Sequence, residues 1–346
     1  MDTVIAIQRL AFVIISIVMS ATVCFGGRGD KTGTAAATEL LIPVGARSVA
    51  IAGSGLSTMI GVESIQWNPS GLAWQTSSAG FLVSHMTYLA DISVEYAVLG
   101  VHMGDLATFG LSIKSLFVGD IVVTTEDHPD GTGETTSPTM TVVGGTLARR
   151  LSDRIALGVT ANFVYEKMAK VSASGIAINA GLQYIGLGGI EGLRFGVLVR
   201  NLGPKLHYDG DGLIRQAIVD DALRSTSPVR LDAASADLPS TIEIGLGYSY
   251  SLSRSSLFTF SSAFQNNNFS DDEYRFGGEY IVDNAVSIRS GYVYSAAATG
   301  NGYIFGFSAG IGIHTNLQNI DILADYAYRA VKYFSGNHVI SLTVAF

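Results

Sequence analysis

The chain has 346 residues, of which 48% are hydrophobic and only 14% are charged, and its formal net charge is −8. Soluble domains carry about 25% charged residues, so this composition disfavours an ordinary soluble protein, and the acidic balance without basic runs argues against nucleic acid as a partner. No stretch after the N-terminal segment holds the ~18 uninterrupted apolar residues of a membrane-spanning helix. The hydrophobic residues must therefore alternate with other types, as they do in strands that show lipid on one face only.

The N-terminal segment has the layout of a signal peptide. Arg9 precedes an apolar core from Leu10 to Met19, and small residues from Ser20 to Thr22 follow it. This core is too short, and wrongly flanked, for a membrane anchor. We predict a signal peptide over residues 1–26. It contains Cys24, the only cysteine, so the mature chain has no internal disulfide; lipid attachment at Cys24 is disfavoured because Val23 stands where a small residue is expected.

Residues 27–77 are expected to precede the main domain. Residues 27–40 are small and polar, which predicts a flexible leader. The block from Pro43 to Ala73 has short apolar pieces separated by glycines, and it ends in a turn that contains Trp67, Asn68, Pro69, Ser70 and Gly71. Asn-Pro followed by Ser-Gly is strong turn chemistry, and the adjacent indole requires a buried face and a hydrogen-bond partner.

Fourteen strand candidates occupy the rest of the chain, residues 78–346. Many are 10 to 13 residues long, which exceeds the ~5–6 of soluble strands and is close to the ~9–11 of tilted membrane strands. They lie near residues 78–88, 92–103, 106–118, 138–149, 154–166, 174–186, 191–201, 239–252, 256–266, 272–282, 284–295, 301–314, 318–329 and 337–346.

The last strand shows the alternation of these segments. Ile340, Leu342, Val344 and Phe346 share one parity, small or polar residues share the other, and the chain ends on a bare aromatic residue as bacterial outer-membrane barrels commonly do. The alternative is the last strand of a soluble sandwich. Short turns alternate with longer loops at 119–137 and 203–238, as in outer-membrane barrels. We predict an all-β fold, a 14-stranded antiparallel transmembrane β-barrel in the bacterial outer membrane, with both chain ends on the periplasmic, short-turn side.

Charged residues of the parity opposite to lipid are predicted to face the lumen and to form ion pairs across it. A solvated sheet face would carry the same residues, so only closure of the sheet separates the two interpretations. Inward glycines leave room inside the wall, and the block from Pro43 to Ala73 is the expected plug, with the turn from Trp67 to Gly71 as its gate. The predicted lumen-facing residues are Glu95, Arg194, Arg200, Glu243, Arg275, Glu279, Arg289, Asp321, Asp325 and Arg329.

Four segments in their order resemble the PorV/PorQ family of outer-membrane proteins. They are Val44-Gly45-Ala46-Arg47 through Trp67-Asn68-Pro69-Ser70-Gly71-Leu72-Ala73, then His85 with Asp91-Ile92 and Glu95-Tyr96, then Arg149 to Ala161, and Val199-Arg200-Asn201-Leu202-Gly203. That family is similar in fold to the FadL fatty-acid channels, which are fourteen-stranded barrels plugged by an N-terminal domain. In those channels an Asn-Pro-Ala segment marks the plug, and Ser70 departs from it here.

The resemblance implies one of two outer-membrane roles. One is a non-enzymatic component of type IX protein secretion, with secreted cargo proteins or other secretion components as partners besides outer-membrane lipid. The other is passive uptake of hydrophobic molecules such as fatty acids or aromatics. Catalytic, metal and cofactor sites are not predicted. The six histidines show no His-x-x-x-His spacing, Ser84 and His85 point to opposite faces of a strand, and neither a Gly-x-Ser-x-Gly element nor a phosphate loop is present.

Overall fold

The computed structural model describes residues 31–90, 92–104, 106–218, 226–295 and 303–346. The predicted signal peptide over residues 1–26, together with Cys24, lies outside the described residues. In the described ranges, no helix combines the length and apolar character needed to cross a membrane.

Fourteen long strands form the wall of a closed antiparallel barrel. In chain order they are β1 (Ala79–Thr87), β2 (Ser93–His102), β3 (Thr108–Phe117), β6 (Thr139–Arg150), β7 (Ile155–Met168), β8 (Val171–Ile185), β9 (Leu193–Leu202), β12 (Thr241–Ser251), β13 (Leu257–Asn267), β14 (Glu273–Val282), β15 (Val286–Tyr294), β16 (Phe305–Leu317), β17 (Ile320–Val331) and β18 (Asn337–Ala345). Two short hairpins in the loops supply β4 (Ile121–Val122) with β5 (Thr135–Thr136), and β10 (Ile214–Ala217) with β11 (Ser227–Arg230).

The first and last strands close the sheet. β1 pairs with β18 in a register that runs from Gly80 opposite Ala345 to Thr87 opposite His338. Beyond that ladder, Ala79 and Phe346 exchange two backbone hydrogen bonds of 2.9 Å each. Closure leaves no unpaired edge to face lipid. The predicted fold class is therefore confirmed, and the predicted strand limits lie within four residues of the observed ones.

The two rims differ in their connections. The short-turn rim holds the start of β1, the end of β18 and turns such as residues 151–154 and 318–319. The far rim, at the opposite end, holds the loops of residues 118–138 and 203–240 that contain the two short hairpins. Not every far-rim connection is long, because residues 169–170 alone join β7 to β8.

Side chains alternate between the two faces of the wall. The outer face is apolar, with Leu111, Ile311 and Ile340 between 57% and 64% exposed. Such residues are suited to hydrocarbon, and tyrosine ends several of the outward rows where the headgroups begin. These exposed tyrosines are Tyr165, Tyr250, Tyr294 and Tyr328.

Residues 36–75 fill the barrel. They form one short helix, α1 (Ala46–Ala50), and four 3-10 turns at Thr38–Leu41, Gly55–Ser57, Val62–Gln66 and Pro69–Trp74. The largest hydrophobic cluster lies between this segment and the wall, and includes Val49 and Leu72 from the segment and Leu82, Met86 and Val98 from strands. The core of the molecule is thus inside the barrel, and residues 36–75 are called the plug from here on.

Candidate functional site

The plug runs from the far rim to the short-turn rim. At its start the Ala36 N–H donates to the Asp237 carbonyl, in a far-rim loop, at 3.0 Å. Halfway down, the Ala46 N–H donates to Ser341 Oγ of β18 at 3.2 Å. Its last turns lie at the short-turn rim, where Val62 packs beside Gly80. The flexible leader predicted over residues 27–40 is contradicted at residues 36–40, which are held inside the barrel below the far-rim loops because Ala36, Ala37 and Leu40 bury apolar surface there.

The turn predicted from Asn-Pro-Ser-Gly is the N-terminus of the 3-10 turn Pro69–Trp74. Asn68 is its N-cap and is fully buried. The Asn68 amide donates to the carbonyls of Leu56 at 3.0 Å and Leu182 at 3.2 Å. Its Oδ1 accepts from the Ser70 N–H at 3.2 Å and from Ser70 Oγ at 2.6 Å. The serine therefore adds a bond that an alanine would not, and Asn68 joins the turn both to the plug and to β8.

The wall is shaped to receive this turn. A Cβ added at Gly158 of β7 would overlap the backbone of Pro69 and Ser70, and one added at Gly181 of β8 would overlap the Asn68 side chain. Glycine is the residue that permits so close an approach of two backbones. The turn is thus seated in a depression of the wall, which no side chain fills.

Trp67 anchors the turn on its other side. Its indole N–H donates to the Val44 carbonyl at 3.2 Å, and its own carbonyl accepts from Arg200 Nη2 at 3.3 Å. The Arg200 guanidinium lies 5.8 Å from the indole centroid, which is within cation–π range. The indole N–H and the backbone carbonyl of the buried Trp67 therefore both have hydrogen-bond partners inside the lumen.

A network of five charged groups joins α1 to the wall. Arg47 donates two hydrogen bonds, of 2.9 and 2.8 Å, to the carboxylate of Glu279, and its Nη1 lies 3.5 Å from Glu63. Arg289 in turn contacts Glu279 at 2.6 Å and Asp325 at 2.5 Å. Burial raises the pKa of Glu63 to about 7, although the nearby Arg47 cation opposes the rise. The bidentate contact fixes the plug at mid-lumen.

A second cluster of charged residues lies nearer the far rim. Glu243 is 3.3 Å from Arg200 Nε and 3.9 Å from Arg275 Nη1. Arg275 also pairs with Glu273 at 2.8 Å, and Tyr303 donates to Glu273 at 2.6 Å. These charged residues lie on the inner faces of β9, β12 and β14, so the wall neutralises much of its own buried charge.

A cavity of about 460 Å³ lies between the far-rim half of the plug and the wall. Leu41, Ile42 and Met140 line the cavity with apolar side chains, and Arg329 adds a positive charge to its lining. The Arg329 guanidinium lies 3.8 Å from the Phe305 ring centroid, and it donates two bonds, of 3.0 and 2.7 Å, to Asn337 Oδ1. No carboxylate of the described residues lies within ion-pair distance of Arg329.

Two further predicted lumen residues, Arg194 and Asp321, lie nearer the short-turn rim. Arg194 has the inward parity of β9, and Asp321, at the start of β17, accepts from His314 at 3.1 Å and from Asn316 at 2.8 Å. Asp321 remains 45% exposed. The structure thus does not bring these two residues into the central charge networks.

Glu95 was predicted to face the lumen, and this is wrong. It has the parity of Leu99 and Val101 on the outer face of β2, its side chain is 46% exposed, and His85 Nδ1 lies 2.6 Å from its carboxylate. The neighbouring Val94 and Tyr96 are the buried, inward residues. Charge alone suggested the inward face, whereas the strand's apolar residues require the opposite assignment.

Sequence reasoning missed an acidic pair beneath the far-rim loops. Glu39 of the plug is 1% exposed, and neither of its carboxylate oxygens meets a hydrogen-bond donor among the described residues. Burial, and next the charge of Glu166 on β7, raise the pKa of Glu39 to about 8. Tyr208 donates to Glu166, and Lys114 donates to the Ile42 carbonyl at 3.2 Å. Glu39 was missed because its surroundings read as a flexible leader.

Most charged groups of the site contact one another or the backbone. In the described part of the chain, no three His, Cys, Asp or Glu side chains are placed to bind a metal ion. The predicted absence of a cofactor and of catalytic residues stays a prediction.

Solved structures of other proteins share this fold. The CymD monoaromatic hydrocarbon channel superposes with a TM-score of 0.56 at 14% identity, over 88% of this chain and 98% of that one. The Pseudomonas putida toluene transporter TodX gives 0.53 at 12% identity, over 87% and 96%. A Pseudomonas aeruginosa FadL homologue gives 0.52 at 13% identity, over 88% and 98%.

Sequence comparison is more specific. No curated protein sequence matches the chain. The family described as "Type IX secretion system protein PorV" matches residues 27–228. Because this match spans more than half of the chain, the protein belongs to the PorV family.

Proposed function

We propose that this barrel of the bacterial outer membrane is a non-enzymatic component of type IX protein secretion, which binds secreted proteins or other secretion components. The observation that carries the proposal is a filled lumen in a chain of the PorV family. The plug crosses the barrel from rim to rim, and Arg47 ties it to Glu279 at mid-lumen.

In the described part of the chain, the wall beside the plug is paired continuously at β1, β2 and β3. β1 pairs with β2 without a register shift, starting with Ala79 opposite Val101. β2 pairs with β3 in the same way, starting with Ser93 opposite Phe117. The register shifts of the barrel lie elsewhere, in the pairing of β8 with β9 and of β16 with β17. A barrel whose lumen is filled by its plug is suited to presenting surfaces, because loops that are already ordered lose little entropy on binding.

The far rim provides such a surface. Its loops expose apolar side chains, among them Ile121, Val122, Ile214 and Leu231, which are 38% to 53% exposed. Apolar side chains exposed at one rim gain free energy when a bound protein buries them. The longer loops of outer-membrane barrels lie on the extracellular side, so secreted proteins leaving the cell would meet this rim.

Deletion of the gene tests the proposal. We expect the secreted proteome to lose a defined set of proteins, with those proteins retained in the periplasm. Complementation with the full chain should restore them. An unchanged secretome in the deletion strain would contradict the proposal.

A second candidate function is the passage of small hydrophobic molecules, and the cavity beside Arg329 favours it. The cavity is apolar on most of its surface and is closed towards the short-turn rim by the plug. Purified protein in liposomes should then admit an aromatic or fatty-acid solute faster than empty liposomes do. Equal rates would remove this candidate and leave the secretion role untouched.

A further inference from the structure

Arg149 is a cation among apolar side chains on the outer face of the wall, at the short-turn rim. Leu147 of β6 and Leu151, just past its end, share the outward parity of Arg149, and Leu157 of β7 lies opposite it. These three leucines are 40% to 60% exposed. Arg149 forms no ion pair in the described part of the chain. A cation in such a place is costly unless its head reaches water or an anion.

Tyr184 indicates the level at which the headgroups begin beside Arg149. It lies on the outer face of β8 opposite Ile155, one outward row nearer the rim than Leu157. Leu151 continues that row, because its N–H donates to the Ile155 carbonyl at 2.8 Å. Tyrosine rings gather where acyl chains meet headgroups. Arg149 therefore lies on the hydrocarbon side of this boundary, within reach of a headgroup phosphate.

A polar groove of about 310 Å³ adjoins Arg149 at the rim. Its polar lining consists of His102, Thr108, Arg149, Arg150, Ser152 and Asp153. The Arg150 guanidinium lies 5.9 Å from the centroid of a Trp74 ring at the end of the plug, and it too has no ion-pair partner among the described residues. Two arginines against the single carboxylate of Asp153 leave the groove positive. Arginine binds phosphate oxygens through two parallel N–H···O bonds, so the groove is suited to a phosphate group.

The apolar neighbours of the groove select a lipid over a soluble anion. Free phosphate could contact the arginines, but it would leave Leu147 and Leu151 uncovered. A soluble acidic protein could not cover Leu147, which lies farther from the rim than Arg149, among the acyl chains. A phospholipid has its acyl chains and its phosphate in the same order along the membrane normal as Leu147 and Arg149.

We propose that this groove binds the phosphodiester of a phospholipid from the periplasmic leaflet, with Arg149 and Arg150 as the phosphate ligands. The lipid ties the turn between β6 and β7 to the membrane boundary. The site lies apart from the central charge networks and from the cavity beside Arg329, and it is independent of which candidate function holds.

Native mass spectrometry of the detergent-purified full chain tests the site. The protein is titrated with dioleoylphosphatidylglycerol, and dioleoylglycerol, which has the same chains without the phosphate, is the control lipid. We expect saturable binding of phosphatidylglycerol only, with an affinity that falls at least tenfold in the double variant Arg149→Gln, Arg150→Gln. Arg149→Gln alone keeps the contact of Arg150 with Trp74 and should lower the affinity at least threefold.

Arg254→Gln is the matched control variant, because Arg254 is an exposed arginine in another turn of the same rim. It should bind phosphatidylglycerol as the unaltered protein does. Heat-dependent migration on a gel checks that each variant forms the barrel.

Repeating the titration in millimolar inorganic phosphate separates a lipid headgroup from a free anion. We expect the bound lipid to remain. Its complete displacement would mean that the groove binds free phosphate, and would overturn the assignment to a lipid. Dioleoylglycerol binding as tightly as phosphatidylglycerol, an unchanged affinity in the double variant, or an equal loss in Arg254→Gln would each remove the site.

Discussion

Asn68 uses both ends of its amide to hold three segments together. Its Nδ2 bridges the plug carbonyl of Leu56 and the wall carbonyl of Leu182, while its Oδ1 caps the turn through Ser70. Gln183 Nε2 also donates to the Leu56 carbonyl at 3.1 Å, so that acceptor has a second donor. In the described turn, no residue beside Asn68 donates a second hydrogen bond to the Leu182 carbonyl or accepts one from the Ser70 N–H.

Replacing Asn68 with alanine should loosen the plug. The substitution leaves the buried Ser70 N–H without its acceptor, at a cost of about 2 kcal/mol. This corresponds to a rise of roughly 30-fold in the population with the plug displaced. Planar-bilayer recordings should show larger or more frequent conductance steps than the unaltered protein. Gln66→Ala is the control, because Gln66 makes a single long contact of 3.4 Å. Unaltered conductance in Asn68→Ala would mean that the turn is held by its seat in the wall and not by this side chain.

Glu39 should make the seating of the plug depend on pH. Its pKa is raised to about 8 in the folded barrel by burial and by Glu166, against about 4.3 in an exposed chain. The docked segment therefore keeps a proton that the free segment releases, and its stability is fully present below pH 4 and lost as the pH rises through 8.

Hydrogen exchange of the amides of residues 36–42 measures this dependence. After correction for the intrinsic rate, we expect opening to be at least about tenfold more frequent at pH 8.5 than at pH 5. Glu39→Gln should remove most of the difference, since the amide cannot ionise. An equal pH dependence in both proteins would assign the effect to other groups, with Glu166, Lys114 and Tyr208 as the neighbours to vary next.

At the scale of elements, β6 and β7 offer a paired comparison of what the wall requires. Gly158 of β7 faces the plug, and an added Cβ would overlap the Pro69 carbonyl group and the Ser70 nitrogen. Gly145 of β6 faces outward, and nothing lies within 4 Å of its added Cβ. Backbone atoms cannot rotate away as a flexible side chain can, so a methyl group added at Gly158 must displace the turn.

Gly158→Ala should therefore unseat the plug, and Gly145→Ala should not. Both barrels should fold, because alanine is tolerated in strands and the wall pairing is unchanged. We expect the first variant to raise conductance at least as much as Asn68→Ala, and the second to match the unaltered protein. If both variants stayed closed, the depression at Gly158 would not be what positions the turn.

Strand positions and strand facing were not equally predictable. The limits follow from local alternation and turn residues, which is why every barrel strand lies close to its predicted range. Facing was misjudged at Glu95, where a charged residue was assigned inward against the parity of Leu99. The path of the plug could not be read at all, because contacts such as Arg47 with Glu279 join residues 232 positions apart. Local patterns contain no information on such pairs.

At the scale of the whole molecule, the two candidate functions differ in whether the plug must move. Solute passage through the lumen requires it to leave the short-turn rim, since its turns fill that end. Presentation of the far-rim loops requires no such motion. A covalent bond between plug and wall therefore separates the two functions in one protein.

Ser54 and Ser261 are the positions for that bond. Ser54 lies in the plug and Ser261 on the inner face of β13, and their hydroxyl oxygens are 2.7 Å apart. Two cysteines there can approach the ~2.05 Å of a disulfide with little backbone movement. The double variant Ser54→Cys, Ser261→Cys should close the bond on oxidation, which a gel shift under non-reducing conditions reports.

With the bond closed, we expect secretion to continue at the level of the unaltered protein, because a fixed plug leaves the far-rim loops intact. Each single variant, and the reduced double variant, serve as controls for the loss of the two hydroxyls. Secretion that stops on oxidation and recovers on reduction would show that the plug moves during secretion. Solute uptake that stops under the same conditions would identify the lumen as a path and give the second candidate function its direct support.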